Sequence, residues 1–364
     1  EPLLSPALLF RALRVRASGE TPGGPHLFSY ARFALATFLQ ERALGDAVLY
    51  VPSYICEDAV APLRPLGQSV RYYPVAEGLE PDWDWLDGHV EDGDGALLLV
   101  HYFGFPNAID RALEFCRSHG LALVEDCAHS FLTRHRGIPI GTFGDGGFYS
   151  FRKLLPIPDG AGLVTNGISI DNPVQDNWPS FQRTHWTYIA RQLLKSGIYQ
   201  SRTATAFLNR FRAQAQTSVR STSVPRHMDD ADTKISRISY QTMKVLEPEY
   251  STMSALRRKN YLYLLEAFSE YPEAIPLYPV LEEEVCPYAF PVLLADRPEV
   301  MQRLQASGVP AHPWPDLSPE VEGNPQFPMA NRYANQVMLL PVHQDLNAIH
   351  LQQVVDIYRK VRQA

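Results

Sequence analysis

Apolar runs alternate with helical stretches through the first half of the chain. This predicts an α/β protein: a three-layer, doubly wound, mostly parallel sheet, with a smaller C-terminal α+β domain. Two further observations support that class. The run Leu121-Ala122-Leu123-Val124 ends on two acids, Glu125 and Asp126. A second run, Phe148-Tyr149-Ser150-Phe151, leads into a lysine, Lys153. An acid closing one strand and a lysine just past another suit such a sheet, where ligands gather outside the carboxyl ends of the strands.

The 364 residues suffice for one large and one smaller domain, and a hydrophobic share of 45% supports a sizeable core. With 33 basic against 40 acidic side chains, the net charge of −7 argues against a nucleic-acid binder, which needs a basic field. The four cysteines, Cys56, Cys116, Cys127 and Cys286, show no C-x-x-C pair. That reads as reduced thiols in a cytoplasmic protein and gives no metal site. No apolar run nears the roughly 20 residues that span a bilayer, and the start lacks a signal-peptide layout.

Taken in order, residues 1–28 read as an N-terminal arm and a loop rich in Gly and Pro. Residues 30–39 are helical, with Ser29 as the expected N-cap. Strands follow at 47–51, 69–73 and 96–101, and an amphipathic helix at 109–119 delivers the chain to Leu121. Residues 166–176 are loop-like. Residues 181–226 contain no acid and eight basic side chains, among them Arg183, Arg191 and Lys195. Two readings stand for this basic helical insert, placed at about 177–228. One is a face toward a nucleotide diphosphate or an anionic membrane surface; the other is an interface helix with a solvated basic side. A long helical pattern runs from about 241 to 268, and the division is set there: a large domain over 29–240 and a small one over 241–364. In the small one, 290–293 reads as a strand, 298–306 as a helix and 347–361 as a terminal helix.

The central stretch carries a run of motifs in order: Glu125-Asp126-Cys127-Ala128-His129, Gly141-Thr142-Phe143-Gly144-Asp145, Phe148-Tyr149-Ser150-Phe151, Lys153, and Asp159-Gly160-Ala161-Gly162. This run resembles the DegT/DnrJ/EryC1/StrS family of sugar aminotransferases, enzymes of the aspartate-aminotransferase-like fold type I that use pyridoxal 5'-phosphate (PLP). The family's segment between serine and lysine is usually two residues longer; here it is Ser150-x-x-Lys153. The resemblance implies that Lys153 is the catalytic Schiff-base lysine, that Asp126 pairs with the pyridine nitrogen, that His129 lies near the phenolic oxygen and that Ser150 binds phosphate. Where the family opens a helix with Ser-Gly-Thr to hold the phosphate, this chain has Tyr30-Ala31-Arg32. Backbone donors at Ala31 survive that change, and Arg32 is either a charged substitute for the hydroxyl or a solvent-face arginine. Tyr54 matches the family's ring-stacking aromatic one position off, the alternative being a core tyrosine. Ser236-Arg237 resembles a segment that, in the family, reaches the cofactor phosphate of the neighbouring subunit.

The expected activity is transfer of an amino group from an amino acid, in the family usually glutamate, to a keto-sugar that is usually nucleotide-linked. A homodimer with shared sites follows from the same resemblance. The alternatives are non-transaminating PLP chemistry on the same scaffold (a dehydratase, a lyase, carbon–carbon bond formation) and a non-catalytic regulator. The residues themselves fit the first reading. Attachment needs an amine that is nucleophilic near neutral pH, which burial and a neighbouring cation, Arg152, favour at Lys153. A carboxylate closing a buried strand suits a ring nitrogen that must stay protonated, and strand alternation turns Glu125 to the opposite side.

Overall fold

The computed structural model describes residues 2–15, 24–90, 95–167, 170, 178–179, 182–199 and 233–363. The expected loop at 171–176 and the basic insert beyond residue 199 lie outside them.

Seven strands form the large sheet: β1 (His26–Phe28), β2 (Val48–Pro52), β3 (Ser69–Tyr73), β4 (Ala96–Val100), β5 (Ala122–Cys127), β6 (Gly146–Ser150) and β7 (Ala161–Thr165). Their spatial order is β1-β7-β6-β5-β4-β2-β3. Strands β3, β2, β4, β5 and β6 pair in parallel, while β7 runs antiparallel to β6 and to β1. The doubly wound, mostly parallel sheet expected from the sequence is therefore present.

The inner parallel strands β2, β4, β5 and β6 are buried on both faces, and period-2 alternation sorts their side chains between two cores. On β4, Ala96, Leu98 and Val100 enter one core, and Leu97 and Leu99 enter the other. On β5, Val124 faces the first core, and Leu123 and Cys127 the second. Helix α2 (Ala31–Glu41) packs in the first core; α1 (Pro6–Arg14), α3 (Trp83–His89) and α4 (Ile109–His119) supply the second.

Two local expectations change. The arm is more than a loop: Ser5 caps α1 by accepting from the Leu8 N–H at 3.1 Å, Pro6 opens it, and Leu8 and Ala12 are buried. Residues 26–28 then enter the sheet as β1. Ser29 does not cap α2. Its N–H donates to the Thr233 carbonyl at 2.7 Å, and Tyr30 is the N-cap residue, with no side-chain capping bond.

Beyond α5 (Arg183–Tyr199), the helical pattern expected to run unbroken to residue 268 is two helices, α6 (Arg237–Leu246) and α7 (Tyr250–Phe268). Residues Glu247–Glu249 between them form a 3₁₀ turn around Pro248, which has no N–H to continue an α ladder. A second sheet of three antiparallel strands follows: β8 (Ile275–Pro276), β9 (Ala289–Leu293) and β10 (Val337–Pro341), in that order. Helices α8 (Arg297–Ala306), α9 (Pro328–Gln336) and α10 (Ala348–Gln363) complete it. Its buried residues, such as Phe290, Leu339 and Tyr358, join the first core, so this layer covers the face of the large sheet that carries Val124 and Val100.

The loop between β5 and β6 depends on missing side chains. Gly141 has a φ of +91°, and a Cβ on Gly147 of β6 would lie 2.2 Å from the Gly141 carbonyl oxygen. Gly147→Ala forces two backbone segments apart, and urea unfolding should show a loss of about 1–3 kcal/mol or more. An unchanged midpoint would mean that the loop yields freely.

Candidate active site

The site lies at the carboxyl ends of β4, β5 and β6, on the face toward α2. Alternation places it there. Val100, Asp126, Phe148 and Ser150 share one face of the sheet, and all four line a single cleft of about 120 Å³ with Lys153 and His129. Glu125 turns the other way, as the pleat requires.

Glu125 is fully buried and saturated. Its Oε1 accepts the N–H groups of Phe143 (2.7 Å) and Gly144 (2.8 Å), and its Oε2 accepts from Gly141 N–H (2.8 Å) and His101 Nε2 (3.0 Å). Burial pushes its carboxyl up, but His101 and the N–H groups outweigh that and hold it below the usual value. His101 Nδ1 accepts the Asn107 N–H at 2.9 Å, which puts the ring proton on Nε2, where it donates to Glu125. His101, Glu125 and Cys127 come within 4.8 Å of one another, but this hydrogen bonding already uses the imidazole and the carboxylate.

Asp126 is 7% exposed, and its Oδ1 accepts the Ala128 N–H at 2.8 Å. Burial raises its carboxyl from the usual value, while Lys153, that N–H and His101 pull it back. Lys153 follows β6 in a 3₁₀ turn, Phe151–Lys153. Burial lowers its ammonium from the usual value; Asp126 opposes the shift and Arg152 adds to it. Lys153 Nζ lies 3.0 Å from His129 Nε2. His129 Nδ1 accepts the Phe103 N–H at 3.4 Å, so the neutral ring carries its proton on Nε2, where it can donate to Lys153 when that group is the free amine. Burial, Lys153 and His312 hold the imidazole well below its usual pKa, which suits that neutral form. The ring is stacked on Tyr288 at 4.5 Å and 11°, with Trp314 edge-on at 5.0 Å.

Ala31 and Arg32 line the same cleft at the start of α2, whose first turn has no capping side chain. Six residues singled out in the sequence thus meet in one place: Ala31, Arg32, Asp126, His129, Ser150 and Lys153. Three do not line it. Tyr54 is fully buried and packs edge-on against Trp314 at 5.2 Å, with its hydroxyl donating to the Trp314 carbonyl at 2.5 Å. The turn after β2 presents Ile55 and Cys56 to the cleft instead, so the stacking aromatic expected at Tyr54 is not there. Ser236 is also committed elsewhere. It caps α6, and its hydroxyl donates to Asp159 at 2.8 Å, which also lies 3.1 Å from His185 Nε2. Arg237 is exposed at the first position of α6.

Sequence reasoning missed Tyr30, Asp58, Arg152 and Trp314 as cleft residues. Arg152 had a signal, adjacency to Lys153. Trp314 had none, since it comes from the loop between α8 and α9, far along the chain.

The donor set fits PLP: an amine, a buried carboxylate, a stacked imidazole, and a hydroxyl and N–H groups at a helix start. Residues 64–172 match the sequence profile of the DegT/DnrJ/EryC1/StrS aminotransferase family. The L-glutamine:scyllo-inosose aminotransferase of Streptomyces griseus is 38% identical over 108 residues, which are 28% of this chain and 26% of that protein. The GDP-perosamine synthase of Vibrio cholerae is 37% identical over 125 residues, 34% of each chain. The matches thus span about a quarter to a third of these curated relatives.

Solved structures extend the likeness to the whole fold. DesV of S. venezuelae gives a TM-score of 0.68 at 21% identity, covering 100% of this chain and 91% of that one. Helicobacter pylori PseC, an aminotransferase of pseudoaminic acid biosynthesis, gives 0.69 at 16%, over 93% and 86%. Spr1654 of Streptococcus pneumoniae, in its PLP form, gives 0.69 at 15%, over 98% and 95%. The chain therefore has the PLP-transferase fold, and residues 64–172 carry the family's sequence.

Glu125 generates a pH prediction. Its folded pKa lies below its unfolded value of 4.5, so the stability it contributes is present above pH 4.5 and is lost as pH falls through the folded pKa. Glu125→Gln places an amide where four donors converge. It should lose about 2–4 kcal/mol at pH 7 in chemical denaturation and show a shallower loss of stability below pH 4.5 than the wild type. Parallel stability curves for the two proteins would contradict this.

Proposed function

We propose that this protein is a PLP-dependent aminotransferase that moves an amino group from an amino acid, glutamate in the first instance, to a nucleotide-linked keto-sugar in polysaccharide or secondary-metabolite biosynthesis. The observation that carries the reading is the Lys153 amine, half-buried and lowered in pKa, in one cleft with Asp126 and 3.0 Å from His129. One relative is named as an aminotransferase of L-glutamine and scyllo-inosose and another as a synthase of GDP-perosamine, which supports the acceptor class.

When bound, PLP supplies the electron sink that stabilises a carbanion at the donor's α-carbon. Lys153 Nζ would hold the cofactor and is the amine placed to take the proton from that carbon. Its lowered pKa keeps more of it in the free-base form that both tasks need. The Asp126 carboxylate holds a proton on the ring nitrogen. Its Oδ1 bond to the Ala128 N–H fixes its direction. His129 orients the Lys153 amine through Nε2–H, and its own stacking against Tyr288 keeps the imidazole from turning. Ser150, the first-turn N–H groups of α2 and Arg32 hold the phosphate, and Trp314 closes one wall against water.

The reading includes a two-fold dimer. A groove of about 1240 Å³ with Phe131, Tyr149, Phe151, Tyr250 and Leu262 on its walls lies away from the cleft. Tyr240, Met243 and Lys244 of α6, the helix that Arg237 opens, also line it. A second copy seated there would bring that helix into an interface, and Arg237 would reach the site of the opposite subunit. The division into an arm over 1–28, a large domain over 29–240 and a small one over 241–364 belongs to the same reading. So does a cytoplasmic location, in keeping with four free cysteines. Among the described residues, no helix is long and apolar enough to cross a membrane.

Adding amino acids one at a time to the PLP-loaded protein should convert its absorbance to that of the aminated cofactor with at least one donor. Lys153→Ala should lose both this conversion and the borohydride-fixable attachment. Wild-type protein that binds PLP yet converts with no donor would favour the non-transaminating alternatives.

Asp126→Asn should retain PLP, because attachment and phosphate contacts survive, and should lose turnover by about 10²-fold or more, since an amide cannot hold the ring proton. Turnover within a few fold of the wild type would place the nitrogen's partner elsewhere.

A further inference from the structure

The phosphate end of the cleft holds more positive charge than the reading above uses. Arg32, in the first turn of α2, and Arg152, in the 3₁₀ turn after β6, both line the cleft. Their guanidinium carbons lie 5.3 Å and 5.4 Å from the centroid of one ring, Tyr30, the residue at the N-cap of α2. Among the described residues neither guanidinium forms a salt bridge or side-chain hydrogen bond; Arg32 is half-buried, Arg152 is exposed, and the one acid beside them at this end of the cleft is Asp58. Two like charges drawn to one aromatic ring repel each other, and cation–π attraction of about 1 kcal/mol each does little to offset that. An anion in the cleft that both residues line would be attracted by each.

A third observation points the same way. Ser150 is a buried residue that lines the cleft, and no side-chain hydrogen bond joins its hydroxyl to the other described residues, which leaves it open to a ligand there. The uncapped start of α2 adds unsatisfied N–H groups and the positive end of its dipole.

The short Ser150-x-x-Lys153 spacing explains how Arg152 gets there. Phe151 is fully buried on the opposite face of the sheet, with Tyr149. The single 3₁₀ turn then returns Arg152 and Lys153 to the cleft side beside Ser150.

Resting on the cofactor reading, we propose that Arg152 is a phosphate-binding residue, and that with Arg32 and Ser150 it forms a cup for the PLP phosphate within one chain. Two guanidiniums balance a dianion and supply charge-assisted donors in place of the hydroxyl lost at Tyr30-Ala31-Arg32. The cup then recognises a phosphomonoester through charge, where a hydroxyl cup would do so by neutral hydrogen bonds.

The test compares PLP with pyridoxal, which lacks the phosphate, in titrations of apo-protein followed by absorbance and by tryptophan fluorescence; Trp314 lines the cleft. Arg152→Ala should weaken PLP binding about 10- to 100-fold and leave pyridoxal binding within about twofold. Arg152→Lys should recover part of the loss, and the Arg32→Ala, Arg152→Ala double variant should nearly erase the preference for PLP. Inorganic phosphate should raise the melting temperature of the wild-type apo-protein and fail to do so in the double variant. Equal losses for PLP and pyridoxal, or no loss for PLP, overturn the cup while leaving the cofactor reading intact. Wild-type protein that takes up neither compound overturns the cofactor reading and the cup with it.

Discussion

One buried carboxylate organises this molecule. Glu125 receives four hydrogen bonds: three from backbone N–H groups of the loop between β5 and β6 and one from the imidazole that follows β4. An ionised acid at full burial is costly, and it persists only where its lone pairs are all met. Meeting them fixes the path of the loop, and the loop fixes where β6 begins. The neighbouring residue on the strand then has no choice of direction. Asp126 must face the cleft, and Ser150 and Phe148 come to the same face through the register of β5 with β6.

On that face the polar groups are left in tension. Asp126 and His129 are buried and Lys153 is half-buried beside them, and desolvation is the largest cause that displaces each from its ordinary titration: the acid upward, the amine and the imidazole downward. They hold one another in place through one direct contact, between His129 and Lys153, and through the field between acid and amine. A fold that only sought stability would fill this space with apolar side chains. Three desolvated titratable groups converging in a cleft are the pattern expected where protons move.

The face of the sheet opposite Glu125 is covered by α2 and by the layer built on the three-stranded sheet. That layer gives the cleft its far wall. Trp314 reaches it from the loop between α8 and α9. It is anchored by the Tyr54 hydroxyl on its carbonyl and by edge-on contacts with Tyr102, Phe103 and His129. The ring of Tyr54, expected to stack over a ligand, instead supports the residue that walls the site.

The sequence by itself determined the fold class, the parallel strands of the large sheet and the two faces of β5, because each rests on a short-range rule. Period-2 alternation, apolar runs of strand length and an acid or lysine just past a run are all local. Lys153 and Asp126 stood out for that reason, whereas His129, Ser150, Ala31 and Arg32 were named through the resemblance to the DegT/DnrJ/EryC1/StrS family. Only the tertiary structure decided the rest. Tyr54 and Cys56 are two residues apart in a turn, and whether one or the other meets the cleft depends on the turn's path against Tyr102 and Tyr333. Ser236 reads as a ligand in a motif, yet Asp159 lies close enough to claim it. Arg152 and Arg32 gain meaning from sharing one ring, and Trp314 from crossing to the far lobe. Each depends on residues that are distant in the chain, and no local pattern encodes those meetings.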